Sequence, residues 1–400
     1  MITSNSLLDK TYQYLFIAFG FCLPLTLSGS NLLAYSIVIL WLLSGNYYNK
    51  FKQIVSNKVS IAAILYFFTF VIGLLWSDNV ETGLNIIKRT LPFLLLIPIF
   101  LTITKKAYIK YYLGAFLLAM SIAEISSYLV FFEIVPPFRK ATLADPSVFM
   151  DHISYNPFLA IAIYIILNKL LFERSLTGLT KYLYIIFALT ASINMFITGG
   201  RAGQIMYFSM LVILIFQYFH KQILKAIIFS VLVIPTIFIT AYSTSDIFHN
   251  RANKAITTFT NFEDNQTTST GQRITFVINS LRIIKQNPVF GVGTGDFTSE
   301  YRKINQQHTP ALVNTSNPHN MYVFIGVQLG IVGIVIMLWF FYSQLKFAVN
   351  INENKQKNFA IALPLLYLLI CLSGLFILGN NSTALLFVFL SGFLYKNFEQ

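Results

Sequence analysis

The stretch HNMYVFIGVQLGIVGIVIMLWFFY, residues 319–342, carries no Asp, Glu, Lys or Arg. An apolar run of that length is what a helix needs to cross a hydrocarbon core of about 30 Å. Comparable runs lie near 12–28, 30–45, 59–76, 91–104, 112–132, 156–172, 182–198, 203–219, 223–242, 358–378 and 381–396. Together they predict an all-α polytopic membrane protein with about twelve transmembrane helices, forming a single integral membrane domain over residues 1–400. Composition agrees: 56% hydrophobic residues, 11% charged and a mean hydropathy of +0.66 are more apolar than one soluble core could hide. The first run is read as a retained span, since no clear small-residue cleavage pattern follows it.

In a soluble protein, a net charge of +13 would suggest nucleic acid. Here the cations sit between apolar runs, which is a signature of membrane orientation with no nucleic-acid partner. Lys50, Lys52 and Lys58, then Lys105, Lys106 and Lys110, Arg174 and Lys181, Lys221 and Lys225, and Lys346, Lys355 and Lys357 all fall in alternate connections. That pattern places both termini in the cytoplasm. The opposite side receives a mixed-charge connection at 77–90, a loop at 133–155, the tight TGGRAG turn, a long periplasmic loop at 243–318 and GNNS at 379–382. A connection as long as 243–318 is usually functional. Within it RITFVINSLRIIKQNP, residues 273–288, sets Ile274, Val277, Ile278, Leu281 and Ile284 on one helical face and Asn279, Arg282 and Lys285 elsewhere. Ser269 and Gln272 have capping-box spacing and Pro288 ends the pattern, so an interfacial helix is expected there.

Four features carry candidate chemistry. Arg201, in ITGGRAGQ, opens a span whose amides point outward; it is either part of an anion site or a snorkelling side chain. NPVFGVGTGDF, 287–297, lacks the Lys-Ser/Thr of a phosphate loop and the spacing of a dinucleotide fingerprint. Its Gly291, Gly293 and Gly295 are either a flexible turn or a place where backbone approaches a ligand. Glu124 lies deep in a span, as a functional carboxyl or one bonded to a neighbouring helix. His319 is either a polar residue at a helix start or a general base, neutral near physiological pH. No HExxH and no second histidine at metal spacing are present, so no metal or other cofactor is expected. The cysteines, Cys22 and Cys371, read as small core residues.

TGGRAG, then GQRITFVINSLRIIKQNPVFGVGTGDF, then NPHNMYV, in that order around one long late loop, resembles the bacterial O-antigen ligase and O-antigen polymerase family. The resemblance implies transfer of a glycan from an undecaprenyl-diphosphate carrier to an acceptor hydroxyl, with inversion and without metal or nucleotide. It maps the family's cations to Arg201 and Arg273, its glycines to Gly291, Gly293 and Gly295, and its histidine to His319; Glu124 and Arg282 are secondary candidates. The turn reads Gly-Gly-Arg where many relatives carry a hydroxyl residue before the arginine. Chain length and the single dominant loop favour a ligase using the lipid A-core as acceptor over a polymerase joining carrier-linked repeats. A transporter or flippase is the reading from a different class, disfavoured because the cations gather at one face instead of the midplane. The implied location is the bacterial inner membrane, with the site facing the periplasm and membrane lipids around it.

Overall fold

The structure is a computed structural model that describes residues 2–173 and 175–398. Arg174, one of the orienting cations, lies outside the described residues. Within them the regular structure is helical, with no strand. The chain begins with α1 (Ile2–Cys22), α2 (Leu27–Leu43), α3 (Tyr47–Ser56), α4 (Lys58–Ile72), α5 (Val80–Leu94), α6 (Leu96–Ile103) and α7 (Ile109–Phe131). It continues with α8 (His152–Phe172), α9 (Gly178–Ile197), α10 (Arg201–Tyr218) and α11 (Ile223–Thr244). The segment expected to be a long loop holds α12 (Asp246–Thr260), α13 (Ser269–Gln286) and α14 (Phe297–His308). The chain closes with α15 (Met321–Val349), α16 (Asn354–Ile370) and α17 (Asn381–Leu394).

Every expected apolar run is occupied by helix, but fewer are long and apolar enough to cross a membrane by themselves. Among the described residues these number 7, or 8 if α2 and α3, bent by 120°, form one span. The fourth run differs most from expectation. Its span is Val80–Ile103, so the supposed connection at 77–90 is helix from Val80 onward. The Asn79 side chain caps it by accepting from Thr82 N. Gly83, Ile86, Thr90 and Phe93 then bury one stripe, while Glu81, Lys88 and Arg89 stay exposed. The eleventh run also ends early: α16 stops at Ile370, and residues 371–380 form an irregular segment.

α8 is the axis of the bundle, with 72% of its apolar window buried against 6% for α11, whose surface is left for lipid. Gly203 of α10 has no room for a Cβ against Asn156 of α8, so the two helices approach closely through a small residue. Buried side chains then bond across helices instead of facing hydrocarbon. Tyr155 Oη donates to Asn194 Oδ1 at 2.9 Å, and Thr198 Oγ1 to Asn156 Oδ1 at 2.7 Å. These contacts fix the ends of α8, α9 and α10 relative to one another, which is where the candidate site lies.

Candidate active site

A cavity of about 960 Å³ opens where α8 and α10 begin, and its wall includes Arg201, Arg273 and His319. The three come from helix α10, helix α13 and the loop before α15, and folding brings them together. No carboxylate lines the cavity among the described residues.

Arg201 is the first residue of α10, so its guanidinium adds to the positive end of the helix dipole. The preceding glycines were expected to permit a sharp turn, but neither has a positive φ. They are needed for room: a Cβ on Gly199 would strike the Arg251 guanidinium, and one on Gly200 would strike the His152 carbonyl and Asn156. Arg201 Nη1 donates to Thr270 Oγ1 at 2.9 Å, tying α10 to α13, and it feels the charges of Arg251 and Arg273. Arg273 sits one turn further along α13. Burial pushes its guanidinium down from the ordinary arginine value, although a guanidinium stays charged at any working pH.

His319 has a φ of 53°, a left-handed conformation uncommon outside glycine and asparagine. The Asn317 side chain holds the turn by accepting from His319 N at 2.8 Å. The helix cap is the next residue, Asn320, whose side chain accepts from Val323 N at 3.1 Å. His319 is therefore not the capping residue. Its ring lies nearly parallel to Phe276 of α13, at 6.3 Å and 19°, and has no hydrogen-bond partner among the described residues. Burial, then the Arg273 charge, pushes its pKa down to about 4. A neutral imidazole with a free ring nitrogen can accept a proton from a hydroxyl in the cavity.

Other sequence candidates lie elsewhere. Gly291, Gly293 and Gly295 have φ of 68°, 112° and 114° and are absent from the cavity wall. Instead they lay the 288–296 strap against the kink at Gly330 in α15. Val292 N donates to Val327 O and Gly293 N to Gln328 O, both at 2.9 Å, and Thr294 N donates to Gly73 O at 3.0 Å. At the end of the strap the Asp296 carboxylate accepts from the amides of Asp78 and Asn79, at 2.9 and 2.8 Å. Glu124 is buried in α7 beside Thr190 of α9, away from the cavity, with Oε1 unpaired. Arg282 is exposed on α13 and donates to Asn279 Oδ1 at 3.0 Å.

The cavity also has members that sequence reasoning missed. Arg251 and Lys254, one turn apart on α12, add two cations. Arg251 Nη1 donates to the Gly199 carbonyl, bracing the turn before Arg201. His152, at the start of α8, lines the wall with Nδ1 2.6 Å from Asp145 Oδ2. Burial alone would push the Asp145 carboxyl up, but hydrogen bonds from His152 and Ser147 bring it below the ordinary carboxylate value. Ser373, Gly374 and Asn380 enter from the irregular 371–380 segment, which Met321 N holds to the start of α15 through Cys371 O at 2.8 Å. Phe248, Ala252, Ala255 and Phe259 of α12 recur at helical spacing, but nothing in that pattern singles out Arg251 and Lys254 as cavity residues. The Asp145–His152 pair was hidden in a loop without regular structure.

Residues 186–338 match the family model described as O-Antigen ligase. That segment contains Arg201, Arg251, Arg273 and His319, and it bears out the resemblance carried by the motifs; His152 and the 371–380 wall lie outside it. The chain is also 24% identical over 315 residues to an uncharacterised protein of Haemophilus influenzae, covering 77% of this chain and 76% of the other. The apolar helices describe a multi-pass membrane protein, and its matched segment is similar to the O-antigen ligase family.

Proposed function

We propose that this protein is an O-antigen ligase that transfers a glycan from undecaprenyl diphosphate to a hydroxyl of the lipid A-core, on the periplasmic face of the inner membrane. The observation that carries the proposal is the convergence of Arg201, Arg273 and His319 on one cavity that no carboxylate lines among the described residues. A glycosyl diphosphate already has a stable leaving group, so the paired carboxylates of a glycosidase are unnecessary. His319 takes the proton of the acceptor hydroxyl as its oxygen attacks the anomeric carbon from the face opposite the diphosphate. The bond from that carbon to the phosphate oxygen breaks, the configuration inverts, and Arg201 and Arg273 receive the charge gathering on the departing diphosphate. Arg251 and Lys254 extend the same positive field.

The test is analysis of envelope glycolipid in a strain lacking the gene. A ligase predicts loss of all long glycan from the core while carrier-linked polymer persists. A single repeat retained on the core would instead establish a polymerase. Unchanged glycolipid, with uptake of labelled carrier lipid lost in vesicles, would establish a transporter.

A further inference from the structure

A second cavity, of about 650 Å³, lies at the far end of the bundle from His319. The offset follows from α15: His319 lies just before its first residue, while Trp339, Tyr342 and Lys346 line the groove beyond the kink at Gly330, toward its other end. The groove is bounded by α3, α4, the end of α15 and the segment after α17. Three ammonium groups, Lys58, Lys346 and Lys396, line it, and no carboxylate does among the described residues. Ile61, Leu101, Trp339 and Phe347 supply its apolar lining.

The groove is built by specific contacts. Asn57 caps α4 by accepting from Val59 and Ser60, and its Nδ2 donates to Tyr395 O at 2.8 Å, so the C-terminal segment is fastened beside Lys58. Lys396 Nζ donates to the carbonyls of Thr102 and Thr104, at 3.0 and 2.6 Å, closing the carbonyl end of α6. Trp339, Tyr342 and Lys346 follow one another on a single face of α15, with the Lys346 ammonium 5.9 Å from the Tyr342 ring centre. Trp339 and Tyr342 remain 40% and 55% exposed, at the level where aromatic side chains meet lipid headgroups.

We propose that this groove binds an anionic diacyl phospholipid, its phosphate held by Lys58, Lys346 and Lys396 and its acyl chains lying along Ile61, Leu101 and Trp339. Charge complementarity selects an anionic headgroup, and the apolar lining residues select a lipid over a soluble phosphate. This goes beyond the transferase reading and does not depend on it.

The full chain, purified in neutral detergent, is titrated with phosphatidylglycerol or phosphatidylcholine of matched acyl chains, and bound lipid is counted by native mass spectrometry. Phosphatidylglycerol should bind preferentially. Lys58→Gln with Lys346→Gln, both at exposed positions, should weaken it about 30-fold, as expected for two surface lysines. The same change at exposed Lys221 and Lys225, outside the groove, should leave it unchanged. Equal binding of the two lipids, or equal weakening by both double variants, would overturn the site. Displacement of the lipid by soluble glycerol phosphate would also overturn it, in favour of a site for a free phosphate compound. Should the groove double variant not fold, Lys346→Gln alone should weaken phosphatidylglycerol about fivefold, and an unchanged affinity would overturn the proposal.

Discussion

His319 keeps an unbonded imidazole while Asn320 caps the helix, and this division of labour separates catalysis from stability at neighbouring positions. His319→Ala should lower turnover by about 10²–10⁴-fold, the usual worth of a positioned base, with donor binding nearly unchanged. His319→Asn should be equally impaired, because the cap is already supplied; wild-type turnover in that variant would end the catalytic role. Burial and the Arg273 charge hold the histidine at about 4. The acid limb of kcat/KM for the free enzyme should therefore fall near that value, not near 6.5, and a limb at 6.5 would assign the base to another group. The stability consequence has a definite sign. Between about pH 6.5 and 4 the unfolded chain binds more protons at this site, so stability falls as pH falls through that window. His319→Gln should flatten that part of the unfolding profile. Arg201→Lys and Arg273→Lys should retain part of the activity and the alanine forms much less, since an ammonium replaces the charge but not the planar fork.

At the scale of elements, the strap at 288–296 is the clearest difference from the sequence reading. Its glycines were candidates for contact with a ligand, yet a Cβ on Gly291 would meet the α15 backbone at Gln328 and Leu329, and one on Gly295 the backbone at Gly83 and Asn79. Gly291→Ala and Gly295→Ala should thus reduce thermal stability and folded yield, at a cost of ~1–3 kcal/mol, with turnover per folded molecule preserved. A normal melting curve combined with a raised KM for donor would return these residues to the binding site. The α13 helix was legible, although Thr268, not Ser269, caps it by accepting from Gly271 N. Its apolar stripe keeps Ile278 and Leu281 exposed while Asn279 is buried against Tyr301 and Thr309 of the following segment. The side of α13 that packs on protein is mixed, with Thr275, Phe276, Asn279, Ser280 and Ile283 buried, while Arg282 and Lys285 stay exposed.

For the whole molecule, the expectation of cytoplasmic termini and a periplasmic 243–318 segment is tested by reporter fusions. Alkaline phosphatase should be active when fused at position 265 and inactive at the C-terminal end; the reverse result would place the cavity on the wrong side for a carrier-linked donor. Activity with purified donor and acceptor should survive excess EDTA, since no cluster of metal-ligating side chains occurs among the described residues. Loss restored by magnesium or manganese would show that the diphosphate is held through an ion.

The sequence alone determined the helical, membrane-embedded character of this protein, because runs such as 319–342 have no stable place outside lipid and must satisfy their backbone internally. It also singled out Arg201, Arg273 and His319, each anchored to a local motif. Tertiary structure decided what those motifs could not contain. The meeting of α10, α13 and the 319 loop depends on contacts such as Gly203 against Asn156 and Arg201 with Thr270, between residues tens of positions apart. Arg251, Lys254 and His152 joined the cavity because α12 and the start of α8 pack there, and no motif in either segment reveals it. The glycines of the strap were placed by the same means. Their φ values mark a tight turn, but only the neighbouring backbones of Trp76 and Ser77, of the start of α5 and of α15 determine that the space beside them is filled by protein.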